Sequence, residues 1–175
     1  SPASQYYNKG GGNKNLVPEE AETVTAGAVL TFANGITASV DYWSIEIDKA
    51  IASVDEETII EVCATLNILC DAINRNAAGS LWLAGGYVDD KVQNVAEKVW
   101  EGVDFVASGD FDLSKGTLTV NTTVTHLLTK ETTLLPGVES SVTDCVGLWN
   151  NNCFPSPETR SNTKVGFSNG GDWSV

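Results

Sequence analysis

The sequence predicts a mainly β protein, built as an antiparallel up-and-down meander with a short helical insertion in one long loop. Several segments alternate apolar and polar side chains with the two-residue period of a strand. Short turn sequences join some neighbouring segments and long connections join the others. In one long connection the apolar residues change to helical spacing.

The first two predicted strands, residues 22–32 and 36–48, form a hairpin. Between them, Ala33-Asn34-Gly35 fits a three-residue loop whose glycine takes the left-handed conformation. This loop sets Phe32 opposite Ile36, so the apolar faces of both strands coincide, whereas a two-residue loop would mix apolar with polar positions. The hairpin therefore has one apolar and one polar face.

Two further expectations concern the residues around this hairpin. Residues 1–20 are rich in Gly, Asn and Pro and are predicted to form a loop. Tyr42 and Trp43 are adjacent within the second strand, so their rings should point to opposite faces of the sheet.

The connection over residues 50–98 contains the predicted helix. Ser53 and Glu56 have the spacing of a capping box, and apolar residues then recur at helical intervals. We expect the helix to begin near Val54.

The four cysteines form two close pairs, Cys63 with Cys70 and Cys145 with Cys153. Neither spacing is C-x2-C and the single histidine lies elsewhere, so two local disulfides are favoured over zinc. Disulfides indicate an oxidising, extracytoplasmic compartment. An unbroken helix would separate the first pair by ~10 Å along its axis. We therefore predict a break at residues 65–67, the alternative being one amphipathic helix with two free cysteines.

Three more strands are predicted, over residues 100–113, 117–129 and 160–169. The first of them carries three aspartates on the face opposite its apolar side chains. These are Asp104, Asp110 and Asp112. Ionised carboxylates suit a water-filled lumen or a solvent surface and not a dry core.

Short and long connections alternate along the chain. The short turns are residues 33–35, 114–116 and 169–171, and the long loops are residues 1–20, 50–98 and 131–157. In a meander this order places all tight turns at one end of the sheet and all long loops at the other. Outer-membrane barrels share this asymmetry and direct apolar side chains to lipid. The predicted strands are therefore expected to come from a transmembrane β-barrel.

Charge and hydropathy exclude other classes. Ten Lys and Arg against 23 Asp and Glu give a formal net charge of −13, which disfavours nucleic acid as a partner. No apolar run approaches the ~18 residues of a membrane helix, whereas barrel strands need only ~9–11 residues.

No catalytic residue, cofactor or metal site is predicted, and we do not expect an enzyme. His126 lies on the apolar face of its strand without an evident nucleophile or carboxylate partner. The carboxylates are interpreted as solvated faces and loops, with a cation site among Asp89, Asp90 and their neighbours as the alternative.

Three aromatic residues in the long loops are predicted to contact a ligand. They are Trp82, Tyr87 and Trp149. The alternative is that these rings pack on the nearby disulfides.

Residues 13–20 (NKNLVPEE) and 39–51 (SVDYWSIEIDKAI) form a pair of motifs. The pair resembles the "NPxLKPE" and "VDYWxIxIxxAI" elements in the β-barrel of TonB-dependent outer-membrane receptors. Lys14 and Val17 stand where the first element usually has Pro and Lys. The likeness continues in order through residues 58–60, the first cysteine pair, residues 101–105 as the "xGIDF" strand, and the second cysteine pair.

The resemblance implies that residues 1–175 are a portion of a receptor barrel domain, since such a receptor also has a plug, a TonB box and a barrel of about 22 strands. It implies import of a scarce nutrient such as an iron-siderophore, a cobalamin or an oligosaccharide across the bacterial outer membrane. The implied partners are a ligand at the extracellular loops, the rest of the barrel and plug, TonB through that plug, and outer-membrane lipid.

A different class of protein fits the same composition. A secreted, disulfide-containing β-rich module for binding or adhesion would also show alternating strands and paired cysteines. It predicts a dry core between sheets and a monomer that is soluble without detergent.

Overall fold

A computed structural model describes residues 6–33, 35–150 and 153–169 of the chain. Its strands are β1 (Glu20–Thr31), β2 (Thr37–Ala52), β3 (Ile73–Asn74), β4 (Tyr87–Val88), β5 (Gln93–Leu113), β6 (Gly116–Thr133), β7 (Val142–Asp144) and β8 (Thr159–Ser168). One α-helix, α1, spans Glu56–Leu66, and short 3-10 turns lie at Cys70–Ala72 and Glu139–Ser141.

The main sheet has the strand order β1-β2-β5-β6-β7, and β8 also pairs with β6. Strands β6 and β8 are antiparallel, from the pair Thr117 and Ser168 to the pair His126 and Thr159. Strands β3 and β4 form a separate two-stranded sheet. The predicted mainly β antiparallel meander with one helix is confirmed.

The loop between β1 and β2 has the predicted register. The Phe32 N–H donates to the Ile36 carbonyl at 2.8 Å, and the Gly35 N–H donates to the Phe32 carbonyl at 3.0 Å. Gly35 has a φ of +81°, a conformation that glycine adopts without a steric penalty. Asn34 lies outside the described residues.

Tyr42 and Trp43 point to opposite faces of the sheet, as predicted. The Tyr42 hydroxyl donates to Glu101 Oε1 at 2.7 Å. The Trp43 ring instead covers Gly102, where an added Cβ would lie 2.5 Å from indole Cζ2. Because Glu101 and Gly102 are successive residues of β5, their contacts belong to opposite faces.

The strands are longer than the alternation predicted. Strand β2 continues to Ala52, β5 begins at Gln93 and β6 runs to Thr133. The predicted loop 131–157 also contains β7, which pairs with β6 from Glu131–Asp144 to Thr133–Val142. The ends of these strands are determined by backbone hydrogen bonds to the neighbouring strand, and the alternation of side chains does not show where those bonds stop. The predicted turn at 169–171 extends beyond the described residues.

Helix α1 begins two residues later than expected and has a different N-cap. Asp55, and not Ser53, is the cap: Asp55 Oδ1 accepts the Thr58 N–H at 2.9 Å. The Ser53 hydroxyl instead donates to the Asp90 carbonyl at 2.9 Å. The helix ends where a break was predicted, because Asn67 takes the left-handed conformation with a φ of +59°.

The chain divides into two compact units. The described part of the first comprises residues 6–20, 48–97 and 134–141, and the second holds the other described residues. A hydrophobic core fills the first unit. Its buried members are Val54, Ile59, Val62, Ala72, Leu81, Val88, Leu135 and Val138. The long connections are therefore folded around a core of their own.

Within the described ranges, no helix combines the length and the apolar character needed to cross a bilayer.

Candidate functional site

Both predicted disulfides are present. Cys63 pairs with Cys70, with their Cα atoms 4.9 Å apart, and Cys145 pairs with Cys153 at 5.4 Å. The first bridge joins the last turns of α1 to the 3-10 turn that follows it. The alternative of one continuous helix with free cysteines is wrong.

The N-terminal segment, residues 7–17, lies alongside residues 87–94 in the first unit. The Lys9 N–H donates to the Val88 carbonyl at 2.8 Å, and the Val88 N–H donates to the Tyr7 carbonyl at 2.9 Å. At the other end, the Asn94 side chain accepts from the Val17 N–H and donates to the Val17 carbonyl, each at 2.9 Å. The predicted loop is thus fixed at both ends.

A cavity of about 360 Å³ lies in the first unit beside Tyr87, and we call it the Tyr87 cavity. Its lining residues are Tyr7, Asn8, Lys9, Ala84, Gly85, Gly86 and Tyr87. The Lys9 ammonium lies 5.0 Å from the centroid of the Tyr87 ring, within cation–π range. Two phenol rings, an amide and an ammonium can therefore contact a ligand here by stacking and hydrogen bonding.

The wall of the Tyr87 cavity requires a glycine. A Cβ added to Gly86 would lie 2.4 Å from the Ser80 carbonyl oxygen and 2.8 Å from the Leu81 Cα. The Asn76 side chain holds the same loop, since its Oδ1 accepts the Ser80 N–H at 3.0 Å and its Nδ2 donates to the Ala84 carbonyl at 3.2 Å. Close backbone packing therefore fixes the cavity's shape.

A second cavity in the first unit, about 240 Å³, is lined mainly by polar groups: Asn13, Asn15, Asp71, Ala72, Asp89, Lys91 and Gln93. The Lys91 ammonium lies 2.6 Å from Asp89 Oδ2. The hydrogen bond from Lys91 lowers the pKa of the Asp89 carboxyl.

The carboxylates considered for a cation site have hydrogen-bond donors beside them. Asp89 is paired with Lys91, and Asp90 Oδ2 accepts from the Asn8 amide at 3.1 Å. At Asp89 Oδ2 and Asp90 Oδ2 these donors compete with a cation for the same lone pairs, whereas Asp90 Oδ1 is buried and has no hydrogen-bond partner among the described residues.

The three predicted aromatic residues differ in their surroundings. Tyr87 lines the cavity named after it, and Trp82, in the same unit, is 47% exposed without lining that cavity. Trp149 belongs to the second unit and is 83% exposed. Contact of these rings with a ligand stays a prediction.

Sequence reasoning missed Tyr7, Asn8 and Lys9 because residues 1–20 were interpreted only as a loop. The adjacent tyrosines Tyr6 and Tyr7 in a Gly- and Asn-rich segment were the available signal. An aromatic pair in such a segment indicates a packing or binding contact.

His126 has a carboxylate neighbour, contrary to expectation. Its Nδ1 lies 2.8 Å from the Thr159 hydroxyl, and its Nε2 lies 4.0 Å from Glu158 Oε1. Thr159 is the first residue of β8 and Glu158 is the residue before it. Both are more than 30 residues from His126 in sequence, so the sequence alone did not indicate this contact.

The model of the family "TonB dependent receptor-like, beta-barrel" matches residues 1–175. No curated protein and no solved structure matches the chain.

Proposed function

The chain belongs to the TonB-dependent receptor-like β-barrel family, and on that premise we propose that it is part of an active transporter importing a scarce nutrient. The family is one of outer-membrane receptors and transporters and not of enzymes. The proposed partners are the rest of the barrel and its plug, TonB acting through that plug, and outer-membrane lipid.

The observation that carries the proposal is an exposed apolar face on the sheet. Phe32 is 51% exposed and Val165 is 64% exposed. Other large apolar side chains of the sheet are also exposed: Val24, Leu30, Phe105 and Phe111. Large contiguous apolar surfaces are rare on soluble monomers and are expected where a barrel meets lipid.

The opposite face of the sheet carries paired polar groups. Three threonine hydroxyls of β6 donate to three aspartates of β5: Thr117 to Asp112 at 3.0 Å, Thr119 to Asp110 at 2.6 Å, and Thr125 to Asp104 at 2.7 Å. One polar and one apolar face is the arrangement of a barrel wall with water inside and lipid outside.

The burial pattern speaks against a secreted module with a core between two sheets. Among the described residues, the buried hydrophobic side chains of the second unit are Cys145 and Cys153, and all others belong to the first unit. The second unit contains most of β5 and all of β6 and β8, so the described part of its sheet has no dry core of its own.

For the ligand we propose contact at the Tyr87 cavity, with Trp82 and Trp149 as further contact residues. The support is the combination of two phenol rings with the Asn8 amide and the Lys9 ammonium around one space. Such a site suits ring-containing, hydrogen-bonding ligands. An iron-siderophore, a cobalamin and an oligosaccharide all have this chemistry.

Uptake assays test this function. Bacteria carrying the protein would be offered labelled ferric siderophore, cobalamin and maltooligosaccharide, with and without a protonophore that abolishes energy coupling. We expect protein-dependent uptake of one compound that stops with the protonophore. Recovery of the protein from the medium as a detergent-free monomer, with no such uptake, would contradict the proposal and favour the secreted module.

A further inference from the structure

A third cavity lies in the second unit and has a different character from the first two. It measures about 170 Å³, well above the ~10–15 Å³ that one water molecule needs. Its polar lining residues are Thr125, Lys130, Ser156 and Arg160, and the others are Leu127, Pro155 and Pro157. We call it the Lys130 cavity.

The ammonium of Lys130 is held by a neutral partner. Lys130 Nζ donates to the Ser156 hydroxyl oxygen at 2.6 Å, and that hydroxyl donates onward to the Phe154 carbonyl at 2.7 Å. Ser156 is 3% exposed, so a buried hydroxyl fixes the position of the half-buried Lys130 side chain. An ammonium has three N–H groups, and among the described residues the Ser156 hydroxyl is the partner of one of them, which leaves two donors for a ligand.

Arg160 adds a second positive charge to the same cavity. Its backbone pairs with Thr125 across β6 and β8, which places both side chains on one face of the sheet. In the described part of the chain, neither Arg160 nor Lys130 has a carboxylate within 4.0 Å. The guanidinium therefore keeps a planar set of donors that matches two oxygens of one anion.

Three acidic residues adjoin the lining residues, and each has a partner of its own. Glu158 Oε1 lies 4.0 Å from His126 Nε2. Asp104 accepts the Thr125 hydroxyl at 2.7 Å, and Asp144 Oδ1 accepts the backbone N–H groups of Lys130 at 3.2 Å and Val146 at 3.1 Å. Among the described residues, no Asp or Glu lines the cavity, although the chain has 23 of them. The cavity is thus positively charged within a strongly acidic chain.

We propose that the Lys130 cavity binds a small oxyanion, namely a carboxylate, sulfate or phosphate group. Two cations from different segments converge on one partly enclosed space, and none of its described lining residues is a carboxylate. Charge-assisted hydrogen bonds from both groups would hold the oxygens, and the surrounding proline and leucine side chains strengthen these bonds by excluding water.

The anion is assigned to the imported ligand, and this part of the inference rests on the proposed function. Arg160 and Thr125 share a face with Asp104, because Thr125 reaches that aspartate across the neighbouring strand. This is the polar face of the sheet, opposite to Phe105. A lipid phosphate would approach from the apolar face.

Calorimetric titration of the detergent-solubilised receptor with sodium sulfate, at constant ionic strength, tests the site. We expect sulfate to bind, and Lys130→Ala and Arg160→Ala to weaken binding about tenfold or more, because each removes charge-assisted hydrogen bonds. Lys164→Ala is the matched control. Lys164 lies on β8 on the same face as Arg160, does not line the cavity, and its loss changes the net charge equally.

Lys130→Arg and Arg160→Lys keep the positive charges. Sulfate binding within a few-fold of wild type in both would show that the alanine variants lose affinity because they lose charge and not because they misfold. Absence of sulfate binding to the wild type, or equal affinity in all variants including Lys164→Ala, would overturn the proposal.

Competition identifies the source of the oxyanion. Displacement of sulfate by glucuronate, but not by uncharged glucose or dispersed lipid A, supports an anionic group on the imported ligand. Displacement by lipid A alone would overturn that assignment. Sulfate titration does not depend on transport, so a receptor that binds sulfate without importing nutrients refutes the proposed function and leaves the anion site standing.

Discussion

At the scale of single residues, the N-cap of α1 is fixed by two hydrogen bonds to one carboxylate. Asp55 accepts the Thr58 N–H at 2.9 Å and the Thr58 hydroxyl at 2.6 Å. Asp55→Ala should reduce the stability of the helix by about 1 kcal/mol, whereas Asp55→Asn should cost less, because Asn is an equally good cap. Amide exchange of residues 58–62 measures the difference, and equal protection in both variants would contradict it.

The same cap predicts a response to pH. Burial raises the pKa of Asp55, but the hydrogen bonds from Thr58 outweigh this and the net pKa is lowered. A carboxyl with a lowered folded pKa contributes stability above its unfolded pKa of about 3.9, and this contribution is lost as the pH falls through the folded pKa. Exchange protection of α1 should therefore decrease on acidification in the wild type. Asp55→Asn should lack this component of the decrease.

Gly86 is the residue on which the shape of the Tyr87 cavity depends most directly. Gly86→Ala would force a methyl group against the Ser80 carbonyl and the Leu81 backbone, which cannot swing aside as a side chain can. We expect a loss of about 1–3 kcal/mol in stability and weaker ligand binding. Thermal melting and ligand titration measure both. Gly12→Ala is the control, since an added Cβ there meets nothing within 4 Å, and equal effects at both sites would refute the steric argument.

At the scale of elements, the two disulfides stabilise local structure without determining strand pairing. Each closes a short segment, with sequence separations of 7 and 8 residues, and chain-entropy arguments give about 2.5 kcal/mol for loops of this length. Reduction should increase amide exchange in residues 55–75 and 140–155 and leave β5 and β6 protected. Deprotection of those strands to the same degree would show that the bridges support the sheet.

Local sequence patterns were sufficient for features formed by neighbouring residues. The register between Phe32 and Ile36 followed from loop length, and the opposite faces of Tyr42 and Trp43 followed from the strand period. The end of α1 at Leu66 followed from the reach of a disulfide.

Contacts between distant segments could not be predicted in the same way. Strand β7 pairs with β6, and the N-terminal segment lies along residues 87–94. Both contacts depend on backbone hydrogen bonds, which do not produce a periodic pattern of side chains in the sequence. The Asp55 cap was missed because Ser53 and Glu56 offered a competing pattern. Both positively charged cavity residues, Lys130 and Arg160, were unremarkable in sequence, since their proximity arises from the pairing of β6 with β8.

At the scale of the whole molecule, the net charge and the exposed apolar surface limit which partners the protein can bind in different ways. The net charge of −13 disfavours nucleic acid and anionic surfaces, while the exposed apolar face of the sheet requires an apolar environment. Membership of the receptor family explains both, because a barrel wall meets lipid on one side and water on the other.

The orientation of that wall is the central claim, and spin-label accessibility tests it most directly. Labels would be attached at Phe105→Cys and, separately, Ser108→Cys in the receptor reconstituted in liposomes, with the native disulfides intact. We predict that the label at 105 collides mainly with lipid-soluble oxygen and the label at 108 mainly with a water-soluble nickel chelate. Equal accessibility at both positions, or the reverse pattern, would contradict the assignment of the apolar face to lipid.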